Sequence, residues 1–353
     1  MNSMKHTLLA LAALTAAAGA SAQNSSVTLF GVLDASVAHL SSSTNSVTGL
    51  SNGGNSSSRL GFRGVEDLGG GLKAGFWLEA GVTVDNGSAS GLKFDRRSTL
   101  SLMGDFGELR LGRDKSPAYM NIETFDPFGD AGVGGNGGSN LIGSASSAAG
   151  TAEGSAPKRL SNGVNYLLPK MGGFYGQVQY AFGEKVENSR LGSGMAIRVG
   201  YGAGPLNVAL GHGRMRGGTA NAGVDYKSTN IGASYDLGMV KPMALFATER
   251  GNGKRMDLFG LGATMPVGAA GELRVAYTQI KNKNVSDADT QKFAIGYSHK
   301  MSKRTRLYGT VARVSNDDNA KRGFAVSSSS LAGPTIANGD NATGYEIGIR
   351  HNF

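Results

Sequence analysis

Arginine and lysine recur at alternate positions in segments whose other positions are apolar. Arg59 and Arg63 alternate with Leu60 and Phe62, and Arg97 shares a parity with Thr99 and Ser101 against Leu100 and Leu102. Lys73, Arg198, Arg274, Lys292 and Arg350 hold the polar positions of similar segments. A guanidinium stays protonated at any physiological pH. Repeated with period two on an extended chain, it lines one face of a sheet. The chemistry open to such a face is electrostatic: it concentrates and orients anions without making or breaking bonds.

Bond-making chemistry finds no constellation. The chain has no cysteine, so it has neither a disulfide framework nor a thiol nucleophile. His39, His212, His299 and His351 are scattered without metal-ligand spacing. No G-x-S-x-G elbow is present. The run Gly251-Asn252-Gly253-Lys254-Arg255 is not a phosphate loop, because Thr248 stands at its first glycine position and Arg255 at its hydroxyl position. Gly211-His212-Gly213 lacks the continuation of a dinucleotide motif. The expectation is a protein that is not an enzyme and has no cofactor and no metal site. A net charge of +9 and a pI near 9.6 raise nucleic-acid binding as another class. The charges are spread over strands instead of clustered, and the chain carries an export signal, so no nucleic-acid partner is expected.

That signal occupies residues 1–22. Lys5 gives a basic start, residues 8–18 form an apolar core, and Ala20-Ser21-Ala22 matches a cleavage site. The mature domain is expected over 23–353. No later stretch is apolar for the about 18 residues that mark a membrane helix. Barrel strands alternate in polarity and average to low hydropathy, which fits a mean of −0.18.

The elements that must position the charges are strands. Val27, Leu29, Leu33, Ala35 and Val37 share one parity, with Thr28, Asp34 and Ser36 on the other. At the far end Tyr345, Ile347, Ile349, His351 and Phe353 oppose Glu346, Gly348, Arg350 and Asn352. One face suits hydrocarbon and the other water. Seven short turns fall at 66–71, 104–107, 169–173, 202–205, 236–240, 266–271 and 299–303. Eight longer polar connections fall at 41–55, 85–95, 114–158, 183–194, 215–227, 251–254, 281–290 and 316–341. Alternating short turns and long loops predict an all-β fold: a 16-stranded antiparallel transmembrane β-barrel with the short side periplasmic. An open sheet would leave bare edges in lipid, so the first strand must pair with the last. A barrel of this size encloses water. A soluble sandwich needs no such sixteen-segment pattern.

Taken in order, SSVTLFGVLDASV, SRLGFRGVEDLGGGLKAGFWLE, RRSTLSLMGDFGELRLGR, SNGVNYLLP, ASYDLG, HKMSKRTRLY and YEIGIRHNF resemble the general trimeric porins of the Gram-negative outer membrane, β-proteobacterial type. The resemblance implies passive diffusion of small hydrophilic solutes and ions, and a homotrimer set in outer-membrane lipid and lipopolysaccharide. It also implies that Phe353, closing the last strand, is an assembly signal read by the barrel-assembly machinery. It makes 114–158 an inward-folded third loop that constricts the pore, with Glu123, Asp126 and Asp130 as acidic candidates. It places a basic cluster opposite, onto which Arg59, Arg63, Arg97, Arg113 and Arg159 map. Arg113 shares a parity with Leu109 and Leu111, so it reaches that cluster only if the strand ends or bulges there. Basic residues in a narrow lumen with low-dielectric walls predict anion preference. A substrate-specific anion or carboxylate channel is the alternative; with one Trp and few lumen-facing aromatics expected, a sugar slide is not.

Overall fold

In the computed structural model the described residues are 26–87, 92–139, 141–142, 158–184, 186, 188–219, 222–324, 331 and 333–353. The expected export signal, residues 1–22, lies outside them. The strands in chain order are β1 (Ser26–Ser42), β2 (Ser46–Asn52), β3 (Arg59–Gly69), β4 (Leu72–Gly81), β5 (Arg97–Gly104) and β6 (Gly107–Lys115). After helix α1 (Pro117–Thr124) come β7 (Arg159–Leu167), β8 (Phe174–Ala181), β9 (Gly194–Ala203), β10 (Leu206–Thr219) and β11 (Ala222–Tyr235). The last are β12 (Lys241–Gly251), β13 (Lys254–Val267), β14 (Gly271–Asn282), β15 (Thr290–Lys300), β16 (Thr305–Asn316) and β17 (Ala342–Asn352). From β3 onward each pairs antiparallel with the next, and β1 pairs with β17, from Val32 opposite Asn352 to Ser42 opposite Ala342. The β2 and β3 segments both pair with β1 and form one interrupted strand, so the closed barrel has 16 strands.

The two parities fall as the alternation requires. Ile347 is 72% exposed toward the outside, while its neighbour Glu346 is fully buried inside. The seam closes at Phe353, which donates its N–H to Gly31 O at 3.1 Å and accepts from Gly31 N at 3.0 Å. Its ring lies over Gly31, where a side chain would collide with it.

Three expected loops are instead strand. In 41–55 the chain stays paired through β1 and β2 around a turn at 43–45. Over 215–219 and 222–227 the β10–β11 ladder continues. At 251–254 the connection is Asn252-Gly253 alone, both at positive φ (50° and 70°), the two-residue turn that a twisted hairpin favours. These ends carry polar residues on the outward parity, among them His39, Ser41, Arg216 and Asp225, so the apolar alternation is lost, although Leu40, Met215 and Tyr226 stay buried on the inner face. What departs from the ladder is 53–58, which is held by Asp34: its carboxylate accepts from Asn55 N (3.0 Å), Ser56 N (2.7 Å) and Tyr308 OH (2.5 Å).

The apolar core lies inside the barrel, between the third loop and one half of the wall. Pro117 opens α1 at the position where no backbone donor is needed. Tyr119, Ile122, Phe125 and Leu141 pack on Ala209, Leu245, Ala247, Leu258 and Ile280. Phe128 and Val133 pack on Ala38, Ala276, Ala294 and Ala312. Inner-wall glycines make the room: a Cβ at Gly232 would strike Phe125, at Gly262 Pro127, and at Gly296 Phe128. The loop's backbone is pinned by side chains of the wall. Asn230 Nδ2 donates to Ala118 O at 2.9 Å, Lys292 Nζ to Gly135 O at 2.5 Å, and Glu346 Oε1 accepts from Val133 N at 3.1 Å. Arg198 Nε donates to Asn121 Oδ1 at 2.5 Å.

Asp126 is buried at the centre of the loop's turn and accepts from the backbone N–H of Phe128 (3.0 Å), Asp130 (2.9 Å) and Asn136 (2.9 Å). Burial pushes its carboxyl up from 3.8 to about 6, outweighing the three donors. A raised folded-state value favours the protonated form. Its contribution to loop order is therefore full below the unfolded value and is lost as pH rises through about 6.

Two outcomes are expected. Gly232→Val should overpack the Phe125 seat at a cost of about 1–3 kcal/mol, loosening the loop and raising single-channel conductance; an unchanged conductance would contradict the packing. Amide exchange over 126–136, corrected for intrinsic rate, should slow about tenfold from pH 7 to pH 5, and Asp126→Asn should flatten that dependence. A faster rate at pH 5 would refute the sign.

Candidate pore constriction

The loop covers the inner wall from β9 to β17. The inner faces of β3 to β7 are left open, and there the charges gather around a cavity of about 640 Å³. Its lining includes Arg59, Arg96, Lys115, Lys158 and Arg159 against Glu79, Glu123 and Asp130. Five cations face three carboxylates.

Each charge is held by the local fold. The excursion at 53–58 turns Ser57 O toward Arg59 Nη1, at 3.0 Å. Arg96 stands just before β5; its Nε meets Glu79 Oε1 at 2.7 Å, and Arg59 Nε meets the same oxygen at 3.9 Å. Arg159 opens β7 and donates from Nε to Arg96 O at 2.7 Å. One carboxylate is thus shared by two guanidiniums, with a third beside them. On the loop side, Lys115 Nζ pairs with Glu123 Oε2 at 2.5 Å and Lys158 Nζ with Asp130 Oδ2 at 3.0 Å. Tyr119 OH also donates to Asp130, at 3.1 Å. The two loop acids that line the cavity, Glu123 and Asp130, are each matched by a lysine, so the unbalanced charge is positive and sits on the wall.

Below this ring, toward the short turns, lies a second tier. Arg63 stacks over Phe30 (5.3 Å) and Trp77 (5.1 Å), and Arg97 covers Trp77 at 4.5 Å. Arg97 also donates to Thr99 Oγ1 (3.0 Å) and faces Asp114 at 3.7 Å. Lumen-facing aromatics are therefore more numerous than expected: Phe30, Trp77, Tyr119 and Tyr175 all point inward. Guanidiniums lie against the rings of Phe30, Trp77 and Tyr175, and the Lys158 ammonium lies against Tyr119.

The expected residues divide. Arg59, Arg159, Glu123 and Asp130 come together around the cavity, and Arg63 and Arg97 form the adjacent tier. Arg113 stays with the outward parity, opposite Ser98, and donates from Nε to Asp95 O (2.5 Å) and from Nη1 to Ser161 Oγ (2.6 Å). Asp114, on the parity of Glu108 and Arg110, faces inward instead. The register shift beside it places the extra residue in β7, where Asn162 is at φ 53°, and leaves Arg113 on its outward parity. Asp126 is taken up by the turn and does not line the cavity. Sequence reasoning missed Arg96, Lys115, Lys158 and Glu79. Arg96 and Lys158 adjoin a candidate, Glu79 closes a quoted motif and Lys115 stands two residues beyond Arg113; near strand ends parity does not say which of two neighbours turns inward.

Comparison with known proteins gives concordant matches. The family described as Gram-negative porin matches residues 10–319. The chain is 39% identical over 360 residues to outer membrane porin protein 32 of Delftia acidovorans, spanning 99% of this chain and 100% of that one. It is 30% identical to an outer membrane porin protein of Bordetella pertussis, again over 99% and 100%. Among solved structures, an anion-selective porin from Comamonas acidovorans superposes with a TM-score of 0.84 at 37% identity, covering 94% of this chain and 100% of that one.

Proposed function

The chain belongs to the Gram-negative porin family, and from that premise we propose that the ring around Arg59, Arg96 and Arg159 is the filter that makes its outer-membrane channel prefer anions. The barrel passes small hydrophilic solutes and ions through a water-filled lumen; its fold and family are those of a channel. The observation that carries the filter assignment is the excess of cations over carboxylates around the cavity. Low-dielectric walls focus that excess into the lumen and raise the local anion concentration. The wall arginines and the loop carboxylates lie on different elements across the opening, so the field there has a transverse component that orients polar solutes. Because cations already lie against the inward rings of Phe30, Trp77 and Tyr175, those rings are poor sugar-stacking surfaces, which supports a general filter over a sugar-specific slide.

A homotrimer is part of the same proposal. The outward positions of β17, β1 and β2 are uncharged along the membrane, running through Ile349, Ile347, Leu33, Val37 and Leu50. A flat apolar face of this kind suits packing against a second barrel.

In a planar bilayer under a salt gradient, the reversal potential should report anion preference; a cation-preferring potential would refute the filter. Neutralising Arg59, Arg96 and Arg159 to Gln should lower the anion-to-cation permeability ratio at least about twofold. Neutralising outer-loop Lys321 should change it little, and equal effects would count against the assignment. Deleting Phe353 removes both closing hydrogen bonds and should cut the yield of heat-modifiable barrel in cells; an unchanged yield would contradict an assembly role.

A further inference from the structure

The lumenal ring depends on a residue that no solute in the lumen can touch. Between the Ala35–Asn52 and Val32–Arg59 pairs, Leu33 and Asp34 on β1 face six residues, 53–58. Six residues against two cannot stay in a ladder, so their backbone groups need other partners. Asp34 supplies them. Its N–H donates to Ser58 Oγ at 2.9 Å, and its C=O accepts from Gly53 N at 2.9 Å and from Ser58 Oγ at 3.1 Å. Its Oδ2 takes the N–H groups of Asn55 and Ser56, and its Oδ1 takes the hydroxyl of Tyr308. Asp34 and Tyr308 are both buried.

The excursion in turn carries the acceptors that hold Arg59. Arg59 Nη1 donates to Ser57 O at 3.0 Å and to Ser56 Oγ at 3.4 Å. With these bonds made, its Nε stands 3.9 Å from Glu79, while Arg96 meets the same carboxylate at 2.7 Å. The segment is wedged as well as bonded. A Cβ on Gly54 would strike Glu346 and Tyr308, and one on Gly132 of the third loop would strike Gly54 O. Arg350 on β17, opposite Asp34, donates from Nη1 to Asn55 Oδ1 at 3.2 Å. Loss of the Asp34 carboxylate would leave two backbone N–H groups without their acceptor and loosen the segment. Arg59 would then be free to close on Glu79, where an ion pair cancels its field.

We propose that Asp34, fixed by Tyr308, is a positioning residue for anion selectivity: through the excursion at 53–58 it holds Arg59 off Glu79, so that the guanidinium charge faces the lumen. The role rests on the filter reading above, because it acts through Arg59. Geometry and charge make opposite predictions for it. By charge alone, removing a carboxylate from the wall raises anion preference. By geometry, removing this one lowers it.

The test is the reversal potential of the reconstituted channel under a salt gradient, on variants first shown to form heat-modifiable barrels. Asp34→Asn replaces one acceptor oxygen by a donor and should lower the anion-to-cation permeability ratio about twofold. If that variant does not fold, Tyr308→Phe, which removes the donor that fixes the carboxylate, should lower the ratio by a smaller factor and is read by the same criteria. Asp236→Asn, the loss of a carboxylate at a periplasmic turn, should leave the ratio unchanged. In an Arg59→Gln background, Asp34→Asn should lower the ratio no further, because its target is gone; a barrel that is merely loosened would lose selectivity in both backgrounds. A raised ratio in Asp34→Asn, an unchanged one, or an equal fall with and without Arg59 would each overturn the positioning role alone. An Arg59→Gln channel that keeps the parent's ratio would sink the filter, and this role with it.

Discussion

Every part of this structure follows from the need to pair backbone N–H and C=O groups where no water can reach them. In hydrocarbon each unpaired group costs several kcal/mol, so the sheet must close, and it does so at the reciprocal Gly31–Phe353 bonds. With the backbone fully used by the ladder, side chains are sorted by parity alone. Outward positions carry Leu29, Ile347 and Phe293, and inward positions Asp34, Gln179 and Glu346. The same accounting applies to the loop within the lumen. Its backbone is not in a ladder, so Asn230, Lys292, Glu346 and its own Asp126 supply partners one by one. Buried polar side chains are thus what lets an irregular segment sit at membrane depth.

Insertion of the loop divides the inner wall into two chemically different halves. From β9 to β17 the inward positions are largely Gly, Ala and Leu, because another layer of protein lies on them. From β3 to β7 they stay charged because water does. The electrostatic result depends on this division. Loop acids that would oppose the wall are matched by Lys115 and Lys158 at the two ends of the same loop. Glu79 is the wall's own acid, and it serves two guanidiniums. The field of the wall therefore survives into the open lumen.

The barrel was legible because its signal is repeated: parity at both termini and seven short turns predict the strand number and sidedness. What was not legible lies where parity loses its meaning. The top of β1, the upper β10–β11 ladder and the Asn252-Gly253 hairpin carry polar residues on the outward parity, so they resemble loops. Arg97 and Arg96 are neighbours at a strand start, and the lumenal ring takes the one outside the ladder. Arg113 fails for the opposite reason: parity was right, and the bulge that the resemblance required there falls in β7 and does not turn Arg113 inward. Asp126 looked like a pore acid because a carboxylate in a turn can serve either solvent or the turn's own N–H groups, and only the fold shows that the turn claims it. One readable sign was missed. Leu245, Ala247, Leu258, Ala276 and Ala294 are apolar on the lumenal parity, and strands apolar on both faces in a barrel must be covered from within.

The same logic gives the outside of the barrel a direction. Charged side chains on outward positions are destabilising at the bilayer midplane and tolerated near its edge. Their placement is then informative only through asymmetry, since any edge could carry them. Here the extracellular edge carries Arg214, Lys227, Arg250 and Arg313 on one side, and Thr343, His39 and Thr48 on the other. If the whole circumference met lipid headgroups, the same guanidinium belt would serve everywhere. The extracellular edge is therefore chemically asymmetric, uncharged from β17 to β2 and basic from β10 to β16. The basic arc lies outside the half of the wall that the loop covers within, and the uncharged arc adjoins the half that bears the lumenal arginines.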